Sequence, residues 1–354
     1  MTATQMKAAR LYKPGDPLAI EDVPAPVPGA DDVLVEVAAC GLCGTDVHLA
    51  VDGDIPVERT PITLGHEAAG VIVALGGAVR EFEVGQRVAL FPSAICGRCR
   101  FCRAGRESLC ETSKVYGMAR DGALAQFVSA PSAGLIAIPD GISFAHAAIA
   151  TDGVATPFHA LRSRGALKAG ESVAIVGCGG LGAHAILLAR MMGAGFVAAI
   201  DVQPEARARA RELGADLTID PEAESDAGKA IRRCLGGGVD LALEFVGRAR
   251  TVEIALRTLD VGGRAVVVGV GVERAQLPPL LSFVGREISV MGSFGMDKRD
   301  IADVLALVAR GRLDLSRSVT QSYPLAEVNS ALARLATKEA GVVRLVVEPG
   351  SAPV

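Results

Sequence analysis

From Glu171 onward the apolar residues come in short runs, SVAIVG, GFVAAID, VDLALEFVG, GRAVVVGVG and EISVMGSF, separated by stretches such as LGAHAILLARMMGA and PEARARARELGA with helical spacing. Short apolar runs bounded by turn residues are strands buried on both faces. Their alternation with helices predicts an α/β fold with a parallel, doubly wound sheet carrying helices on both sides. The earlier part of the chain follows another rhythm. DVLVEVAAC and GQRVALF alternate with period two between Val-, Gly- and Pro-rich turns, which predicts a compact β-rich domain. After Phe294 come a helix, DIADVLALVARGRL, a second near LAEVNSALARLATKE, and a last strand, GVVRLVVEP.

The length, 354 residues of which half are hydrophobic, suits two domains with sizeable cores. With 36 basic against 40 acidic residues and a net charge of -4, there is no basic block to hold a phosphate backbone, so nucleic acid is excluded as a partner. The opening MTATQMKAARLYKPGD lacks an apolar core followed by a small-residue cleavage site, which predicts a cytoplasmic protein. The apolar segment 173–189 contains four glycines and His184 and falls short of a membrane span.

Two motifs carry chemistry by themselves. Cys96, Cys99, Cys102 and Cys110 follow the spacing C-x2-C-x2-C-x7-C in CGRCRFCRAGRESLC. Clustered thiols in a cytosolic chain bind metal, and four thiolates close a tetrahedral structural zinc site. An iron-sulfur cluster would want the fourth cysteine where Arg106 stands. The second motif is GCGGLG, directly after SVAIVG, with Gly177, Gly179, Gly180, Leu181 and Gly182 at a strand-to-helix turn. Glycines there let a pyrophosphate approach the free N–H groups of the helix N-terminus. The next strand ends at Asp201, nineteen residues beyond Gly182, where a carboxylate can accept from both ribose hydroxyls and repel a 2′-phosphate. NAD is therefore the expected cofactor, although Arg207 and Arg209 lie close in sequence.

A second metal site has to be assembled from scattered residues: Cys43 in CGLCGTDVH, with Thr45, Asp46 and His48 after it, and His66 and Glu67 in LGHEAAG. Taken together, CGLCGTDVH, GHEAAGVI, CGRCRFCRAGRESLC and GCGGLG, in this order, resemble the zinc-containing medium-chain dehydrogenase/reductase superfamily, that of the alcohol dehydrogenases. The resemblance covers nearly the whole chain. It implies a GroES-like β-rich catalytic domain, residues 1–151 with the zinc lobe at 93–111, completed by 293–354, and a Rossmann NAD-binding domain, 152–292, inserted between them.

The resemblance also implies roles. Cys43 and His66 would hold a catalytic zinc, with Glu67 a close or alternating ligand and Asp46 orienting a ligand from behind. Thr45 and His48 match a proton relay, Thr45 taking the substrate proton and passing it by way of the nicotinamide ribose to His48. Further cofactor contacts fall on Thr156, Val246, Gly269, Val270, Ser293 and Phe294, and on Arg344 near the pyrophosphate unless it is a plain surface charge. Phe91, Ile95, Met118 and Phe294 lend the substrate pocket an apolar character. The remaining zinc ligand would be Asp152 in TDGVATPFH; the competing reading makes it the N-cap of a helix starting at Gly153. The implied protein is an NAD-dependent enzyme with two Zn2+ per chain, acting on a secondary or apolar alcohol or ketone. Polyol, amino-alcohol and alicyclic acyl-thioester dehydrogenases are the alternatives, and a non-catalytic NAD- and zinc-binding protein is a remote one. A homo-oligomer, a tetramer rather than a dimer, is the expected assembly.

Overall fold

A computed structural model describes residues 5–224, 226–337, 339 and 341–350. The chain divides into two compact units, and it passes from the first to the second after Gly153 and returns at Asp297.

The first unit is built on a sheet ordered Leu135–Ala137, Arg87–Leu90, Glu67–Leu75, Asp32–Leu42, Arg344–Glu348, Val319–Pro324, with Phe127–Pro131 also pairing with Asp32–Leu42. A three-stranded sheet, Ala19–Pro24, Gln5–Leu11 and Ile62–Thr63, belongs to the same unit. The period-two pattern of VLVEV holds only in part: Val33, Val35 and Val37 join the core and Glu36 is exposed, but Leu34 on the opposite face is buried as well. The last strand pairs antiparallel with Asp32–Leu42, setting Val346 opposite Gly41. The C-terminal segment thus completes the sheet that the N-terminal half begins.

The second unit carries a six-stranded parallel sheet ordered Leu217–Ile219, Phe196–Ile200, Ser172–Val176, Val239–Glu244, Leu259–Val267, Ser289–Gly292. Chain order reverses between Ser172–Val176 and Val239–Glu244. Right-handed crossovers then put the helices of the two halves on opposite faces, as in a Rossmann sheet. Ser172–Val176 is buried along its whole length, which is why its sequence is apolar without alternation. No helix among the described residues is long and apolar enough to cross a membrane.

The junctions differ from the sequence boundaries by a few residues. Asp152 lies in the first unit, and Ser293 and Phe294 lie in the second, where the Ser293 N–H donates to the Val267 carbonyl and extends the parallel ladder. The helix containing Asp152 also begins earlier than TDGVATPFH suggests. Helical residues run from Phe144–Ile149 through a π turn, Ala150–Val154, to Ala155–His159 and a second π turn, Ala160–Arg164. Ser143 caps this stretch, its side chain accepting from the His146 N–H. The residues before Asp152 are already helical, so the N-cap reading of Asp152 does not hold.

Candidate active site

Strand pairing assembles the scattered residues. Register between Asp32–Leu42 and Glu67–Leu75 sets Gly41 opposite Glu67, which carries Cys43 and His66 to the same end of the two strands. Gly41 leaves room there for the Glu67 carboxylate, since a Cβ on it would collide with Glu67 Oε2 and force that side chain to shift. Cys43 caps the short helix Gly44–Val47, whose Asp46 turns back so that Oδ2 accepts from the Cys43 N–H at 2.9 Å. The π turn brings in Asp152, with Oδ2 at 3.6 Å from Cys43 Sγ and 3.6 Å from His66 Nε2. Such single π turns inside helices are common at functional sites.

These distances fit one ion. Zinc bonds of about 2.3 Å to sulfur and about 2.0–2.2 Å to nitrogen and oxygen at tetrahedral angles imply separations of about 3.6 Å between S and O and about 3.4 Å between N and O. Cys43, His66, Glu67 and Asp152 offer donor atoms that all lie within 4.8 Å of one another. The charge balance points the same way. Cys43, Asp46, His66 and Glu67 are buried, and Asp46 Oδ1, His66 Nδ1 and Glu67 Oε2 make no hydrogen bond among the described residues. Burial raises the Asp46 carboxyl above its ordinary range against the pull of His66, and pushes Glu67 up to about 7 against the pull of Arg344. For His66, burial favours the neutral ring, but the facing Asp46, Asp152 and Cys43 outweigh it and hold the pKa well above the ordinary value. A nest of buried anions that recruits protons in this way is one that a divalent cation would neutralise.

Arg344 is no surface charge. Its side chain is 3% exposed, and Nη2 donates to Glu67 Oε1. Across it lies Gly153, where a Cβ would stand 2.9 Å from the Arg344 Cζ. The guanidinium is the countercharge of Glu67. Thr45 Oγ1 lies 3.7 Å from Cys43 Sγ. His48 is partly exposed, and its Nδ1 stands 3.3 Å from Asp52 Oδ2 and 3.1 Å from Asp54 Oδ1. The sequence reading missed both aspartates. Gly53, with φ of 67°, reverses the chain after the π turn His48–Asp52 and returns Asp54 to the histidine.

The four cysteines form a separate lobe. Cys96 Sγ lies 3.7 Å from Cys110 Sγ, and Cys99 Sγ lies 3.6 Å from Cys102 Sγ, against about 3.8 Å for the edge of a ZnS4 tetrahedron. Main-chain N–H groups point at the sulfurs. The amides of Arg98 and Cys99 donate to Cys96 Sγ and lower its pKa to about 6, and the amide of Cys102 lowers that of Cys99, while burial raises that of Cys102. The lobe is tied down by Ser108, whose N–H and hydroxyl both donate to Asp297 Oδ1, and by the Lys298 N–H donating to Glu107.

In the second unit Gly177 takes φ of 88°, and a Cβ on Gly182 would fall 1.8 Å from the Gly177 carbonyl oxygen, so both glycines are obligatory. Gly179 heads the helix Gly180–Met191 without a side-chain cap, leaving its first N–H groups to an anion. Asp201 Oδ2 accepts from the Cys178 N–H at 2.6 Å and Oδ1 from the Gln203 N–H at 2.8 Å, which hold the carboxylate beside the glycine turn. The nearby arginines are engaged. Arg207 donates to the Asp201 and Val202 carbonyls and pairs with Asp220, and Arg209 donates to the Cys178 carbonyl. Val246, Val270 and Phe294 are exposed in this unit, whereas Thr156 and Ser293 are buried. Of the apolar residues read as pocket lining in the first unit, Phe91 and Ile95 are buried, and Met118 packs against the core.

Two outcomes follow from these geometries. Because main-chain N–H groups favour the thiolates of Cys96 and Cys99, the lobe should hold its zinc against a chelator at neutral pH and release it only on acidification, as protons compete for the sulfurs. Complete release already at mildly alkaline pH, followed by a colorimetric zinc indicator, would contradict the lobe. Replacing Asp201 by Gly together with Val202→Arg should move preference toward NADP by at least about tenfold, about 1.4 kcal/mol. An unchanged ratio of kcat/KM values would remove Asp201 from the ribose.

Comparison with known proteins agrees with this picture. A model of the alcohol dehydrogenase GroES-like domain matches residues 29–140, and one of the zinc-binding dehydrogenase domain matches residues 180–310. An alcohol dehydrogenase of Geobacillus stearothermophilus is 35% identical over 93% of this chain and 96% of its own length. Sorbitol dehydrogenase of Bacillus subtilis is 32% identical over 97% of each. The crystal structure of a zinc-binding dehydrogenase from Sinorhizobium meliloti, bound to NADP, superposes with a TM-score of 0.87 at 35% identity, covering 98% of this chain and all of that one. The chain belongs to the zinc-containing medium-chain dehydrogenase/reductase family, that of the alcohol dehydrogenases.

Proposed function

We propose that this protein is an NAD-dependent, zinc-dependent alcohol dehydrogenase that interconverts a secondary or apolar alcohol and the corresponding ketone or aldehyde. The observation that carries the reading is the meeting of Cys43 Sγ, His66 Nε2 and Asp152 Oδ2 at separations suited to one zinc, in a chain that also holds the Gly177–Gly182 turn and Asp201. Zinc bound there would serve as a Lewis acid, lowering the pKa of an alcohol hydroxyl and polarising a carbonyl.

The rest falls to the chain's own residues. Cys43, His66 and Asp152 are three protein ligands and leave a position for substrate, the arrangement of a catalytic rather than a structural site. Asp46 faces His66 from behind, its Oδ1 3.8 Å from Nδ1, and acts on the ring through charge rather than through a hydrogen bond. Glu67, paired with Arg344, adds no net charge while that pair is closed. The Thr45 hydroxyl takes the alcohol proton as it gives up its own, and His48, partly exposed, is the group that returns a proton to water. The glycine turn holds the cofactor's pyrophosphate, and Asp201 accepts from its ribose hydroxyls. Thr156, Val246, Gly269, Val270, Ser293 and Phe294 complete the contacts with the dinucleotide.

A polyol substrate is the second reading, favoured by the similarity to a sorbitol dehydrogenase. Assembly into a homotetramer in the cytoplasm completes the proposal. An apolar run supports the assembly: Leu277, Leu280, Leu281 and Val284 are exposed just before Ser289–Gly292, which ends the parallel sheet.

Asp152→Asn should lower zinc to about one ion per chain, sparing the lobe. Turnover of simple secondary alcohols with NAD should fall by about 100-fold or more, beyond what the loss of an outer partner costs. Full zinc content and a normal rate would leave Asp152 without a role at the metal.

A further inference from the structure

Glu244 takes no part in the chemistry above, yet it stands where the turns of the cofactor site meet. It ends the strand Val239–Glu244 and is fully buried. Its Oε1 accepts from the Val246 N–H at 2.7 Å, the Gly247 N–H at 2.9 Å and the Thr251 hydroxyl at 2.7 Å. Its main-chain carbonyl accepts from the N–H groups of Val268 and Gly269, at 2.8 and 3.0 Å. One residue therefore pins the turn after its own strand with its side chain and the turn after the neighbouring strand with its backbone.

The two turns also interlock with each other. A Cβ on Gly247 would lie 2.5 Å from the Val270 carbonyl oxygen, and one on Gly269 would lie 2.1 Å from the Gly247 nitrogen, so the main chains touch where only glycine fits. Val246 carries the contact on to the phosphate turn, since a Cβ on Gly177 would fall 2.6 Å from Val246 Cγ2. A position that merely needed filling would be served by an apolar side chain. Glu244 instead buries a carboxyl group whose Oε2 makes no hydrogen bond among the described residues, an arrangement that costs stability.

We infer that Glu244 is a positioning residue for NAD: by fixing Val246–Gly247 and Gly269–Val270 against Gly177, it sets in advance the turns on which the dinucleotide lies. Turns already held in the bound conformation spare binding the cost of ordering them. The inference rests on the reading of these turns as the cofactor site.

The test is NADH titration by fluorescence on the zinc-loaded enzyme, with steady-state rates beside it. Glu244→Ala should raise the NADH Kd and the KM for NAD about tenfold, with kcat within about twofold and zinc content unchanged. Glu244→Gln, which keeps an acceptor oxygen, should lose less. If the alanine variant does not fold, Thr251→Val, which deletes one of the three donors, should still weaken NADH about two- to threefold. Wild-type affinity in the folded variants, a fall in kcat with KM unchanged, or a glutamine variant as weak as the alanine one would each overturn the role. Gly182→Val separates the two layers of the argument. Lost NADH binding there beside normal binding in Glu244→Ala removes Glu244 alone, whereas normal binding in both removes the cofactor site itself.

Discussion

The constraint on which the first unit depends is electrostatic. Cys43, Asp46, Glu67 and Asp152 bring acidic groups into one small, mostly buried volume, where the guanidinium of Arg344 and the ring of His66 are the cationic partners at hand. Buried charge without compensation is among the most costly things a fold can contain. A divalent cation resolves it, and the surrounding structure is arranged to admit one. Gly41 makes room for the Glu67 carboxylate, Gly153 makes room for Arg344, and the strand Arg344–Glu348 returns from the far end of the sequence to deliver the countercharge.

The second unit solves a different problem by similar means. A dinucleotide has to lie against backbone, so the turns at the carboxyl ends of the strands are stripped of side chains at Gly177, Gly182, Gly247 and Gly269 and pack main chain on main chain. Bare backbone has little intrinsic order. Hydrogen bonds from Asp201 and Glu244 supply it, each carboxylate taking the N–H groups of the turn beside it.

What could be read from the sequence was what is local in it. The four cysteines, the glycine turn and Asp201 lie within single short stretches, and their spacing already contains their geometry. Asp152 was legible only through resemblance, because nothing in TDGVATPFH announces a ligand, and the N-cap alternative fell once Ser143 was seen to cap the helix. The Glu67–Arg344 pair joins residues 277 positions apart, and no periodicity reports such a contact. Asp52 and Asp54 carried no signal in the sequence: Asp52 reaches His48 across one turn of the helical segment His48–Asp52, and Asp54 only because Gly53 reverses the chain. Glu244 read as one polar residue inside the strand run VDLALEFVG, and Leu217–Ile219, three residues long, carried too little pattern to be read at all.

The central claim is that Cys43, His66 and Asp152 hold a zinc ion distinct from that of the cysteine lobe. Anomalous diffraction on either side of the zinc absorption edge, from crystals of the metal-loaded protein, tests it most directly. The account predicts two peaks per chain, one among the sulfurs of Cys96, Cys99, Cys102 and Cys110 and one bonded to Cys43 Sγ, His66 Nε2 and Asp152 Oδ2. A single peak, or a second peak with Asp152 turned away from the metal, would contradict it.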